Sequence, residues 1–133
     1  MSVTIHWDNP DQTALIMTLT TPWTWDEIEA LSPAIGAEMD AVAHDVDLII
    51  DLQQAGDVPM SMMEQLRDAY AEGMRNLGQY IFVGASEKFI AYLSVADRYL
   101  TAMGGTLDYR CVDSMDEARR ISYWKHLLRP YAV

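Results

Sequence analysis

The chain has 133 residues, half of them apolar and 22% charged, with an acidic excess that leaves a formal charge of −11. That length suits one domain with its own core, and the single cysteine, Cys111, excludes an intrachain disulfide. Such acidity argues against binding a phosphate backbone, which needs clustered Lys and Arg, and against anionic membrane surfaces; it leaves a solvated acidic surface or a basic partner.

Val3, Ile5 and Trp7 alternate with polar neighbours and read as a half-buried first strand. Asp8-Asn9-Pro10-Asp11 signals a turn, and Thr13 to Thr20 reads as a second strand, antiparallel to the first because the connection is short. Three times a Ser/Thr-x-x-Glu capping box opens a helix: at Thr24–Glu27, Ser61–Glu64 and Ser114–Glu117. Ser86, with Glu87 in the first turn, opens one more. In the first helix Ile28, Leu31, Ile35, Met39 and Val42 mark one buried stripe, with Pro33 and Gly36 weakening its middle. Val46 to Leu52 is a nearly continuous apolar run, the mark of a central strand covered on both faces. The second helix starts at Ser61, presents Met63, Leu66, Tyr70, Met74 and Leu77 on one face, and is expected to end at Gly78. Tyr80 to Val83 is another buried strand. Phe89, Ile90, Leu93, Ala96, Leu100 and Met103 line the third helix, ended by Gly104-Gly105. Leu107 to Val112 forms the last strand, and the closing helix turns Ala118, Ile121 and Trp124 inward. The result is an α/β single domain over residues 1–133. Its order is β-β-α-β-α-β-α-β-α, a mixed five-stranded sheet with four helices.

No residue constellation names a reaction. Asp51 sits at the carboxyl end of the central strand, where active sites of open α/β sheets gather. A phosphoacceptor aspartate would also need an acidic pair after the first strand and a lysine after the last. The chain offers a lone Asp8 and Asp113-Ser114, so a carboxylate bonded to nearby backbone amides is the better reading. His6, His44 and His126 lie in separate elements without ligand spacing, so no metal site is expected. No Gly-rich phosphate loop and no nucleophile elbow occur, so no cofactor is expected. Cys111, within a strand, reads as a buried inert thiol. Trp23 packs against Ile28 as a hydrophobic staple or joins Trp25 in the rim of a ligand pocket. Met60 and Met62 fall off the second helix's buried stripe; adaptable methionines at a helix start suit a partner surface, as they suit ordinary loop packing. The N-terminus shows no secretion signal, and no apolar run approaches the ~20 residues that span a bilayer. The expected location is the cytoplasm.

With Asp47-Leu48-Ile49-Ile50-Asp51-Leu52 as central strand and Ser114-Met115-Asp116-Glu117-Ala118 opening the closing helix, the whole chain resembles a STAS domain, the sulfate-transporter and anti-sigma-factor-antagonist fold, or its SpoIIAA-like relatives. In phosphoregulated members an Asp-Ser-x-Gly segment opens the helix after that strand, and a kinase phosphorylates its serine. Here Asp57-Val58-Pro59-Met60-Ser61-Met62-Met63-Glu64 stands there. Ser61 holds the helix start, but the Asp-Ser pair and the glycine are missing. The SpoIIAA-like branch, which lacks that motif, is the closer match.

The resemblance implies a non-enzymatic, bacterial-type regulator acting in signalling through a protein partner. Asp57, Met60, Ser61 and Met62 are its expected docking residues. The alternative is a small apolar-ligand binder rimmed by Trp23 and Trp25. Neither nucleic acid nor membrane insertion is expected, and the oligomeric state, a homodimer included, stays open.

Overall fold

The computed structural model describes residues 2–59, 76–105 and 108–128. Its five strands, β1 (Val3–Trp7), β2 (Ala14–Thr20), β3 (Val46–Gln54), β4 (Leu77–Val83) and β5 (Tyr109–Val112), stand in that order across one sheet. The Asp8–Gln12 turn reverses the chain, so β1 pairs antiparallel with β2. The β2–β3, β3–β4 and β4–β5 pairs are parallel. Three helices are described, α1 (Trp25–Asp40), α2 (Glu87–Ala102) and α3 (Met115–Leu128). The fold is therefore α/β around a mixed five-stranded sheet. The helix expected from Ser61 lies outside the described residues.

The caps form where the hydroxyls predict them. Thr24 Oγ1 accepts from Glu27 N at 3.3 Å, Ser86 Oγ from Phe89 N at 3.1 Å, and Ser114 Oγ from Glu117 N at 3.2 Å. Each satisfies one amide that has no partner inside its helix. Pro33 does not break α1, which runs through it as one helix.

The sheet separates two apolar layers, because side chains alternate along each strand. Leu15, Met17, Leu48, Ile50, Tyr80 and Phe82 meet α1 and α2 through Ile28, Ile35, Met39, Phe89 and Leu93. Ala14, Ile16, Ile49, Ile81, Val83 and Val112 meet α3 through Ala118, with Met115 and Ile121 beside it. Coverage on both faces is why Val46–Leu52 reads as a continuous apolar run. Buried Asn76 ties the first layer together. Its Nδ2 donates to the carbonyls of Met39 at 2.7 Å and His44 at 3.1 Å, supplying partners just where α1 ends.

Four sequence expectations need correction. Gly78 does not end a helix; it lies inside β4, which begins at Leu77 rather than Tyr80. Its local signal, a glycine after a helical stripe, is also what a strand shows where another group approaches its backbone. Trp124 is exposed, because α3 turns Ala118 and Ser122 to the sheet and Trp124 falls on the far side. Met103 and Ile90 are also exposed: Met103 lies past the last turn of α2, and Ile90 lies off the Phe89–Leu93–Ala96 face.

Candidate functional site

The connections that follow β2, β3 and β4 meet at the carboxyl ends of the parallel strands, the end where open α/β sheets place ligands. Trp23, in the loop between β2 and α1, donates its indole N–H to the carbonyl of Ala55 at 2.7 Å. Thr21 Oγ1 donates to the carbonyl of Gln54 at 3.0 Å. These two bonds clamp the chain leaving β3. Gly56 follows in the left-handed region, with φ at 67°, and Asp57 then projects into solvent while Val58 turns inward. Asp57 is thus carried at the mouth of this end, on a stretch anchored by Trp23. Met60, Ser61 and Met62 lie outside the described residues.

Trp25 donates its indole N–H to Glu29 Oε1 at 2.7 Å. Trp23 and Trp25 flank a crevice lined by Ile28, Leu52, Val58 and Phe89, with a volume of about 10 Å³. That is about the space of one water. Asp51 organises its own strand end: its Oδ1 accepts from Gln53 N at 3.0 Å. This is the backbone-bonded carboxylate expected there.

At the opposite side of the molecule α3 and the β1–β2 turn enclose a groove of about 510 Å³. Asp8, Asp11 and Thr13 form one wall, and Arg119, Tyr123 and His126 the other. Arg119 Nε donates to Asp8 Oδ1 at 2.8 Å and pins the turn to the helix. Behind the groove lies Asp47, fully buried. Ser122 Oγ donates to its Oδ2 at 2.7 Å, Gln79 Nε2 stands 3.4 Å from the same oxygen, and His126 Nε2 lies 3.2 Å from it. Among the described residues Asp47 Oδ1 has no hydrogen-bond partner; it rests against the backbone of Gly78, where a Cβ would stand 2.5 Å away. The β3–β4 register shifts at this point, between Val46 and Leu48.

A buried carboxylate is costly unless polar groups compensate it. Ser122 on α3 and Gln79 on β4 do so by hydrogen bonds to Oδ2, and His126, one turn beyond Ser122, stands beside the same oxygen. The serine hydroxyl is spent on the aspartate, and all three side chains address one carboxylate oxygen. This is a clasp between helix and sheet rather than the serine–histidine–aspartate relay, in which histidine stands between the other two. Sequence reading missed it. The visible sign is Asp47 inside an apolar run; its partners lie 32 residues away on β4 and 75 away on α3.

Cys111 is half-buried, and that burial pushes its thiol above the ordinary value, which disfavours the thiolate. Among the described residues no group of His, Cys, Asp and Glu side chains has a geometry that could hold a metal ion. No helix among them is long and apolar enough to cross a membrane.

No protein-family model matches this chain, and no curated protein matches it.

Charge is divided unevenly across the sheet. Twelve of the 20 acidic residues lie within positions 1–66, where there is no Lys or Arg; all 9 basic residues lie from Arg67 onward. Since the strands keep chain order across the sheet, β1, β2 and α1 form a continuous acidic half. Asp26, Glu29, Glu38 and Asp40 on α1 are all exposed.

Proposed function

We propose that this chain is a non-enzymatic regulatory module that binds a protein partner, in the manner of the STAS and SpoIIAA-like domains it resembles, and that the partner presents basic side chains. The charge partition carries the reading. A half-molecule with carboxylates and no cation of its own attracts a positively charged surface and repels acidic ones. The partner's first contact is the segment Asp57–Met62, of which Asp57 stands exposed at the carboxyl end of the sheet. Exposed Asp57 on a stretch clamped by Trp23 supports that position. Action in the cytoplasm, without metal, nucleotide or nucleic acid, belongs to the same proposal.

An apolar-ligand binder is the second reading, and the Trp23–Trp25 rim is what favours it. A ligand there would need a few hundred Å³. The crevice offers about 10 Å³, so protein docking is the reading preferred here.

The test is a Met60→Ser/Met62→Ser double variant. It should unfold in urea like the parent and retain much less partner in affinity capture from cells. Equal capture by variant and parent would place the docking surface elsewhere.

A further inference from the structure

β1 stands at the border of the sheet, and its outer side pairs with no described strand. The hydrogen-bond phase shows which groups face outward. Thr20 N donates to the Ser2 carbonyl at 2.7 Å, and Asp8 N donates to the Ala14 carbonyl at 2.9 Å. With Thr4 opposite Thr18 and His6 opposite Ile16, the even-numbered residues turn their amides and carbonyls toward β2. Those of Ile5 and Trp7 point away from the sheet. Val3 is fully buried, so the accessible stretch begins after it.

Such an edge is a template for another strand, and proteins ordinarily blunt it with lysine, proline or a bulge. β1 has none of these: it reads Val-Thr-Ile-His-Trp and keeps an unshifted register with β2 along its length. What guards it against a second copy is charge. Asp8 and Asp11 lie at its end, and Glu38 reaches it from α1 to accept the Trp7 indole N–H at 2.8 Å. Arg119, bonded to Asp8, is the one described cation in contact with this border. Two copies brought edge to edge would oppose two acidic halves. That protection fails against a strand of opposite sign.

We propose that the outer edge of β1 accepts an extended Lys/Arg-bearing segment of a partner protein as a sixth strand. Main-chain bonds to Ile5 and Trp7 provide the pairing, and the acidic half selects the basic sequence. The proposal shares with the proposed function only the basic character of the partner. It rests on main-chain groups of β1 and not on the Asp57–Met62 segment, so failure of either surface leaves the other standing.

The experiment is amide hydrogen exchange by NMR on the full chain at low salt, with synthetic peptides of about eight residues, a common strand length. One alternates Lys and Val, a second alternates Glu and Val, and a third is the Lys peptide N-methylated at alternate amides. The Lys peptide is expected to slow exchange of the Ile5 and Trp7 amides by about tenfold or more, through protection of open backbone groups, while Thr4 and His6 change little. The Glu and N-methylated peptides should leave all four unchanged. Unprotected Ile5 and Trp7 at saturating Lys peptide, or equal protection by the Glu peptide, would overturn the proposal. So would protection of both amides without any peptide at increasing protein concentration, which marks self-pairing.

Discussion

Asp47 joins helix and sheet through a carboxylate that no solvent reaches, and its neighbours were selected by contact rather than by sequence spacing. Gly78 is the tightest of them. Gly78→Ala would press a methyl group onto Asp47 Oδ1, held in a fully buried site, so a loss of about 1–3 kcal/mol is expected, as for overpacked interiors. A urea titration measures it; unchanged stability would mean that the strands can part without cost. Reading the residues in order finds Asp47 in its strand but not Ser122 or His126 as its partners, because a contact across 75 positions leaves no local period. Cys111 lies in its strand as expected but is half-buried there, not fully buried. Burial raises its pKa, so the neutral thiol is the favoured form in the folded chain. The stability linked to that form is present below the ordinary thiol value and is lost as pH rises through the folded one. Alkylation by iodoacetamide at mildly alkaline pH should therefore be slower in the folded chain than in urea. Equal rates would show an exposed thiolate.

At the scale of elements, local chemistry was the reliable guide. The hydroxyls of Thr24, Ser86 and Ser114 each cap the helix they announce, and the apolar runs at Val46 and Tyr80 became central strands. Ser114→Ala should cost roughly 1 kcal/mol in a denaturant titration, the usual value of an N-cap hydroxyl. An unchanged midpoint would show that Glu117 N finds another acceptor. The misreadings at Gly78 and Trp124 have one origin. Glycine punctuates both helix ends and tight strand contacts, and a helical period gives a face but not which way it is turned. In α3 the clasp on Asp47 fixes that rotation and leaves Trp124 outside. At the candidate site, Asp57 and the two tryptophans were visible as chemistry. Their convergence was not, since the Trp23–Ala55 bond joins loops 32 residues apart.

For the whole molecule, the decisive property is the division of charge. A net −11 is evident from composition, but its concentration along one border follows only from strands that keep chain order. Sheet topology turns a sequence bias into a surface. Attraction between exposed charges weakens as salt shortens its reach, from about 10 Å at 0.1 M to about 3 Å at 1 M. Binding of a basic partner should follow that screening, whereas a purely apolar interface should tighten or stay constant. The most direct measurement is affinity capture from cells with the full chain, repeated from low to high salt and quantified by mass spectrometry. A defined protein partner with a basic contact region, retained at low salt and released as salt rises, is the expected result. Retention that is indifferent to salt, or no specifically retained protein at any salt, would contradict a regulatory module built around an acidic half.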